Sequence, residues 1–260
     1  MSRIISFAMQ KGGVGKTTTC VNMAAFMALM GKKVLLIDLD SQGNATTNLG
    51  FSKDGKLNSI YQVMSEDVDI KEAIYDTKIK NLSLIPSNIH LAGVEVELVY
   101  MNSREFVVKK MIEKVKNSYD YILIDCPPSL NLITINALTA SDAVIIPIQS
   151  EFFALEGLSQ LMNTIRLVKK SLNTELSIDG IVLTMCSARG NLGKQVAEEI
   201  NKFFADTVFK TTIPRNVRLA ESPSFGEPIY TYDKSCVGSK AYQMLTEEYF
   251  EKFKVKYTKL

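Results

Sequence analysis

The segment FAMQKGGVGKTTTC, residues 7–20, is the strongest indication of the fold in this sequence. An apolar stretch leads into its glycine-rich run GGVGKTT, and a stretch of helical periodicity follows. Glycines let the backbone turn tightly and expose successive N–H groups, and a helix that begins there adds the positive end of its dipole. The segment therefore predicts a loop that binds anionic oxygens, in the strand–loop–helix setting that a phosphate loop requires.

The predicted loop carries two lysines, although one is enough to hold nucleotide phosphates. We expect Lys16, where the helix begins, to neutralise the β- and γ-phosphates and the Thr17 hydroxyl to ligate Mg²⁺. Lys11 precedes the first glycine, and a solvated loop charge is the alternative to a second phosphate contact there. The residues expected to bind the phosphates are Lys11, Gly12, Gly13, Val14, Gly15, Lys16, Thr17 and Thr18.

Short apolar runs alternate along the chain with longer amphipathic stretches. The runs predict buried strands at 4–9, 33–38, 82–86, 121–126, 143–148 and 178–186. Helical periodicity is found at 17–30, 94–117, 153–170, 191–204 and 237–254. This alternation predicts an α/β fold: one domain, residues 1–260, with a mostly parallel twisted sheet and helices on both faces. Ligands of such sheets bind beyond the carboxyl ends of the strands.

Three carboxylates follow buried strands of the predicted sheet. VLLIDLD ends in Asp38 and Asp40, and YILIDCPP contains Asp125. A carboxylate at such a strand end can hold a Mg²⁺-bound water, and Asp125 is the better candidate, with Asp38 supporting the metal shell. Asp40 faces the same way as Asp38 along an extended chain and is expected to orient or activate the attacking water. Each of these acids alone could simply cap its strand or the following helix. Three of them in one chain with a phosphate loop favour a Mg²⁺–nucleotide site.

Composition excludes several other classes of protein. The formal net charge is +2, so any contact with nucleic acid must come from a local patch. One histidine rules out a multi-histidine metal site, and His90 is expected in a loop or at a helix start. The four cysteines have no paired spacing, which is typical of buried thiols in a reducing compartment. The apolar run 21–30 is too short to span a bilayer, so we expect a cytoplasmic protein.

The segment KGGVGKTT fits the deviant Walker A motif, whose extra lysine precedes the first glycine. Four further blocks, at 34–50, 121–138, 151–158 and 211–229, accompany it in order, and the chain strongly resembles the ParA/Soj partition ATPases, which are P-loop NTPases. The resemblance implies ATP and Mg²⁺ as cofactors. It also implies that Lys11 reaches the nucleotide of a second copy in an ATP-sandwich homodimer, where it acts as an arginine finger does. Gly12 would lie at the junction of the two subunits.

The same resemblance assigns roles to individual residues. It makes Asp40 the hydrolytic aspartate, Thr17 the direct Mg²⁺ ligand and Asp125 the Walker B acid. Pro214, Arg215 and Asn216 match the loop on the adenine side. Ser41 replaces the usual proline of this family's DPQGN block, and Met9 stands where asparagine is frequent; both departures concern loop geometry.

The resemblance further implies non-specific binding to double-stranded DNA. Scattered surface basic residues are commonly only solvated, but Arg189 and Arg218 fall at positions that match the family's DNA contacts. A ParB-like centromere-binding protein would stimulate a slow ATPase, and the protein would associate with the nucleoid. No helix-turn-helix segment precedes the first strand, so sequence-specific repression is not expected.

Two related activities are alternatives. A MinD-like ATPase shares the nucleotide chemistry but binds membranes, and the basic tail EKFKVKYTKL, residues 251–260, is the segment that would serve it. Its apolar residues alternate with lysines and leave no broad helical face, so a frayed, solvated helix end is expected and no membrane partner. An electron-transfer ATPase of the nitrogenase iron protein type needs glycine-flanked cysteines, which the chain lacks.

Overall fold

A seven-stranded sheet is the centre of the fold in the computed structural model. The structure describes residues 2–65, 67–151, 154–186, 198–200, 202, 204 and 206–260. The strands are β1 (Arg3–Phe7), β2 (Val34–Asp38), β3 (Tyr75–Asp76), β4 (Leu82–Ile85), β5 (Tyr121–Asp125), β6 (Ala143–Gln149) and β7 (Ser177–Thr184). Their order is β3-β4-β2-β5-β1-β6-β7, and every pair is parallel except β3 with β4. The predicted mostly parallel sheet is confirmed.

Helices cover both faces of this sheet. Those of the described residues are α1 (Lys16–Leu29), α2 (Asn44–Asn48), α3 (Ile60–Met64), α4 (Val94–Leu98), α5 (Val107–Glu113), α6 (Leu132–Ala140), α7 (Ala154–Ser171), α8 (Val217–Glu221), α9 (Ile229–Asp233) and α10 (Val237–Lys252). Helices α1 and α10 pack on one face of the sheet, with buried Phe26 and Tyr249 in that cluster. Helices α5, α6 and α7 pack on the other face, with Met111 and Leu161. The apolar runs of the strands are buried because both faces are covered.

The prediction of one helix over 94–117 is wrong. The structure has α4 and α5 there, separated by a turn and a short 3₁₀ helix at Arg104–Phe106. Ser103 has a left-handed backbone (φ 57°), which an α-helix cannot contain, so the chain changes direction between the two helices. His90 lies in a 3₁₀ helix, Ile89–Gly93, as expected of a loop or helix start. The predicted helix at 191–204 falls largely outside the described residues.

The tail does not form the frayed, solvated helix end that its sequence suggested. Helix α10 ends at Lys252, and Lys254 adopts a left-handed backbone (φ 53°) that turns the chain back. Alternate side chains of the following extended segment, among them Val255 and Tyr257, then pack on the cluster of α1 and α10. The Thr258 N–H donates to the Met30 carbonyl at the end of α1 (3.1 Å). None of the helices in the described ranges is both long and apolar enough to cross a bilayer.

A buried charge network closes the sheet at the end opposite the glycine-rich loop. Arg3 of β1 donates from Nη2 and Nε to the carboxylate of Asp179 on β7 (2.6 and 3.1 Å). The Tyr249 hydroxyl of α10 donates to the same carboxylate (2.8 Å), and Asp179 is almost completely buried. The carboxylate therefore ties two strands and a helix together.

Candidate active site

The glycine-rich loop connects β1 to α1, as the sequence predicted. Gly13 (φ 74°) and Gly15 (φ 83°) have left-handed backbones, and Gly15 is the residue that precedes the first turn of α1. This conformation is strained for other residues, so glycine is needed there for its backbone. At Gly12 an added Cβ would meet only Pro128, at 3.9 Å, so a side chain has room within a single chain.

The Lys16 side chain folds back over the loop. It is buried, and its Nζ donates to the carbonyl of Lys11 (3.3 Å). Burial lowers the pKa of Lys16, and the negative charges of Asp125 and Asp40 oppose that effect. A desolvated ammonium group that donates to a loop carbonyl is suited to exchange that partner for a phosphate oxygen.

Asp125 lies at the end of β5, which is flanked by β1 and β2. It is fully buried, and within the described part of the chain neither carboxylate oxygen accepts a hydrogen bond of normal geometry. Burial and the charge of Asp38 raise its pKa, against smaller effects of the Thr17 hydroxyl and Lys16. Buried carboxylates are normally paired or bind a cation, so this unsatisfied group, next to Thr17, fits a hydrated Mg²⁺. No three His, Cys, Asp or Glu residues of the described ranges are grouped so that they could hold a metal ion by themselves.

Asp38 is the register partner of Asp125 on β2, but its oxygens are occupied. It accepts from the backbone N–H and the hydroxyl of Thr46 (2.8 and 2.7 Å) and from the N–H of Asp40 (3.2 Å). Burial raises the pKa of Asp38 to about 6, although these hydrogen bonds favour its charged form. Its contacts thus hold the loop that follows β2, and it is less available to a metal than Asp125 is.

Asp40 faces the phosphate loop from that segment. Its Oδ1 accepts from the Gln42 N–H (2.9 Å), and its side chain is mostly buried. A cleft of about 340 Å³ lies between the two loops. We call it the phosphate cleft; its lining includes Gly12, Gly13, Gly15, Lys16, Thr17, Asp40, Gln42 and Asn44. The structure therefore brings together the loop residues and the hydrolytic aspartate predicted from sequence.

A second cavity, of about 250 Å³, adjoins the phosphate cleft. We call it the base pocket; its lining includes Thr18, Thr184, Met185, Pro214, Arg215, Asn216, Leu219 and Tyr242. Gly15, Thr18 and Met185 line both cavities. The Asn216 side chain accepts from the Leu219 N–H (3.3 Å) and so begins α8. The three residues predicted to contact adenine thus line a pocket that Gly15 and Thr18 also line, next to the phosphate cleft.

Lys11 has a partner within its own chain that the sequence did not predict. Its Nζ forms an ion pair with Oε2 of Glu151 (2.5 Å), just after β6, and both side chains are partly exposed. Glu151 opens the EFFALEGL block, which carried the family resemblance without a role for this residue. Within one chain Lys11 therefore contacts an acid of its own subunit.

Of the two arginines predicted to contact DNA, the structure describes one. Arg218 lies on α8 with its guanidinium half-exposed, and it donates to Glu221 (3.0 Å) and lies 3.7 Å from Asp233. Hydrogen bonds to Glu221 and Tyr232 raise its pKa. Arg189 lies outside the described residues.

Comparison with known proteins agrees with this geometry. The model of the AAA domain family matches residues 2–178. The sporulation initiation inhibitor protein Soj of Bacillus subtilis is 56% identical over 248 residues, which are 95% of this chain and 98% of Soj. The chain belongs to the ParA/Soj family. The chromosome partitioning protein ParA of Myxococcus xanthus is 48% identical over 95% of this chain and 88% of its own.

Solved structures extend this family relationship to the fold. Cobyrinic acid a,c-diamide synthase from Mycobacterium smegmatis, with a bound ATP analogue and magnesium, superposes with a TM-score of 0.84. It is 32% identical, and the match covers all of both chains. The ParA/Soj resemblance and the P-loop fold predicted from sequence are therefore confirmed. The roles of individual site residues in this family member remain predictions.

Proposed function

We propose that this ParA/Soj family protein is a Mg²⁺-dependent ATPase of DNA partition. The observation that carries the proposal is a base pocket that shares lining residues with the phosphate cleft, together with Asp125 at the end of β5. Asp125 is fully buried, and its carboxylate oxygens have no hydrogen-bond partner among the described residues. The proposal is also supported by relatives that are named as partitioning proteins and by a structural neighbour with a bound ATP analogue and magnesium.

The proposed roles follow from the position of each side chain. Lys16 exchanges the Lys11 carbonyl for phosphate oxygens, while Thr17 and Asp125 hold Mg²⁺, which supplies charge neutralisation on the triphosphate. Asp38 supports this shell through the loop that it anchors. Asp40 orients the attacking water. Pro214, Arg215 and Asn216 contact the adenine.

We further propose that ATP joins two copies of the chain. Lys11 would leave Glu151 and bind the phosphates of the second copy, where its charge also stabilises the transition state. The partly exposed ion pair supports such an exchange, because surface ion pairs are worth only about 0–1 kcal/mol. Gly12 would then face the partner, which would explain a glycine at a position that has room for a side chain in one chain.

The dimer is proposed to bind double-stranded DNA without sequence preference through Arg218 and Arg189. A ParB-like protein would stimulate slow hydrolysis and release the dimer from the nucleoid. Arginines at a dimer surface would displace counterions from DNA phosphates, so this binding should weaken steeply with salt.

The test is the mass of the purified chain by light scattering, with Mg²⁺ and a non-hydrolysable ATP analogue. We expect the mass to double, and the dimer then to co-sediment with plasmid DNA and not with anionic vesicles. A single chain at saturating analogue would overturn the sandwich proposal. Retention by vesicles and not by plasmid would assign the protein to the MinD-like alternative.

A further inference from the structure

A buried hydroxyl connects the far side of the sheet to the phosphate loop. Thr184 is the last residue of β7, it is almost completely buried, and its Oγ1 donates to the Val14 carbonyl at 2.7 Å. The two residues are 170 positions apart in the sequence. A distance of 2.7 Å is usual for a hydroxyl donor, and a hydrogen bond between two buried groups is stronger than the same bond in water.

This hydrogen bond fixes the orientation of one peptide group in the loop. In a planar trans peptide the C=O and the following N–H point in opposite directions. Because the Val14 carbonyl points at Thr184, the Gly15 N–H points away from β7. Gly15 borders the phosphate cleft, and the N–H groups of such a loop are its anion-binding groups.

The loop needs such a tether because of its own composition. Gly13 and Gly15 flank Val14 and both have left-handed backbones. Rotation of the Val14–Gly15 peptide changes φ of Gly15, and glycine adopts positive and negative φ with similar ease, so the Gly15 backbone offers little resistance to it. Without the Thr184 hydroxyl, rotation of the Val14–Gly15 peptide would turn its oxygen, not its N–H, towards the phosphates.

The end of β7 also holds the base pocket. Thr184 and Met185 both line that pocket, and Met185 has a strained left-handed backbone (φ 51°). Cys186, the next residue, forms two backbone hydrogen bonds with the segment that contains Pro214. Its N–H donates to the Ile213 carbonyl (2.9 Å), and its carbonyl accepts from the Arg215 N–H (3.2 Å). One short segment therefore positions both parts of the site.

We propose that Thr184 is a positioning residue that aims the Gly15 N–H at the nucleotide phosphates. The inference rests on the proposed nucleotide site, and it adds a residue that does not itself touch the phosphates. Its signature is selective: loss of the hydroxyl should weaken binding in proportion to the phosphates that a ligand carries and leave recognition of the base intact.

The test compares Thr184→Val, which keeps the volume and removes the donor, with Thr184→Ser, which keeps the donor. Thr139→Val is the matched control, because Thr139 is also fully buried and, among the described residues, its hydroxyl has no hydrogen-bond partner. Competition against a fluorescent ATP analogue gives the affinities of ATP and adenosine, and thermal unfolding reports the fold. We expect Thr184→Val to bind ATP about tenfold more weakly, the loss of about one buried hydrogen bond. Adenosine affinity should be unchanged, and Thr184→Ser and Thr139→Val should match the parent.

Several results would overturn either the positioning role of Thr184 or the proposed function. If Thr184→Val binds ATP as the parent does, or if Thr184→Ser is as weak as Thr184→Val, the positioning role is wrong. An equal loss for adenosine and ATP would also overturn it, because the effect would then lie in the base pocket. A parent that binds no ATP would overturn the proposed function itself. If Thr184→Val does not fold, Thr184→Ala removes the same hydroxyl with less bulk and is compared with Thr139→Ala.

Discussion

Lys11 Nζ and Glu151 Oε2 lie 2.5 Å apart in a single chain, one in the phosphate loop and the other just beyond β6. A cation proposed to act on a second copy is thus paired with an acid of its own subunit. The pair is partly exposed, so its rupture costs little and an ATP phosphate can replace the carboxylate. In the proposed dimer, Lys11 would therefore exchange the Glu151 carboxylate for a phosphate of the nucleotide bound to the second copy.

Lys11→Ala should separate nucleotide binding from dimerisation. We expect it to retain ATP binding through Lys16, to stay a single chain with the ATP analogue, and to lose about 10²–10³-fold in ATP hydrolysis. Light scattering and phosphate release measure the two effects. Lys71→Ala, which removes an exposed lysine elsewhere, is the control and should behave as the parent. A Lys11→Ala protein that still dimerises with the analogue would contradict a role in trans.

Asp40→Ala should stop the cycle after ATP has bound. Asp40 borders the phosphate cleft, and its negative charge attracts neither the phosphates nor a second copy, so its loss should leave ATP binding and dimerisation intact. We expect a long-lived dimer that remains on plasmid DNA with ATP. Sedimentation with DNA over time measures this, and a single-chain protein at saturating ATP would be inconsistent with the role of Asp40.

Arg218→Glu should weaken DNA binding strongly and leave dimerisation intact. In the free chain Glu221 and Asp233 already contact this guanidinium, so DNA phosphates must compete with them. We expect the slope of log affinity against log salt to fall by about one unit per lost phosphate contact. Arg166→Glu, on the exposed side of α7, makes the same charge change and should bind DNA nearly as the parent does. An unchanged affinity and slope for Arg218→Glu would mean that the DNA surface lies elsewhere.

Asp125→Asn should gain stability and lose function. Burial raises the pKa of Asp125, so its charged form destabilises the nucleotide-free fold. That cost is absent below the unfolded-state pKa of about 4, grows between that value and the raised pKa of the folded state, and is constant above it. We therefore expect the variant to unfold at a higher temperature than the parent at pH 8 in EDTA, with a smaller difference at pH 5. Mg²⁺-dependent hydrolysis should fall by about 10²-fold or more.

Asp179→Ala should destabilise the fold without altering the nucleotide site. It leaves Arg3 and Tyr249 without their shared buried acceptor, a loss of about 2 kcal/mol in the free energy of unfolding. Denaturant unfolding measures the loss. ATP affinity should stay at the level of the parent, since the network lies at the opposite end of the sheet, and Asp54→Ala on the surface should change neither quantity.

The sequence was informative wherever a local pattern determines structure. The run from Phe7 to Cys20 located the loop, and the apolar strand ends located Asp38, Asp40 and Asp125, because parallel strands bring their carboxyl ends to one edge. The contacts that hold these groups were not visible. Glu151, Thr46 and Thr184 reach their partners through the fold, and nothing in the spacing of Thr184 and Val14 marks them as neighbours.

The base pocket likewise could not be predicted from a local sequence pattern. Its loop at Pro214–Asn216 was assigned by resemblance, since no local pattern distinguishes it from another turn. The break between α4 and α5 was missed because helical periodicity continues across Ser103, whose left-handed backbone depends on tertiary packing. The prediction of a solvated helix end after Lys252 is wrong for a similar reason. The alternating apolar residues of the tail pack on the cluster of α1 and α10, which the tail sequence alone does not reveal.

The backward turn at Lys254 has a practical consequence for imaging. Helix α1 begins at the phosphate loop and, at 1.5 Å per residue, its 14 residues carry Met30 about 20 Å away from it. Thr258 is bonded there, so a fluorescent protein fused after Leu260 would be held at the pole remote from the nucleotide. Such a fusion would leave a second copy of the chain room to approach the phosphate cleft in the proposed dimer.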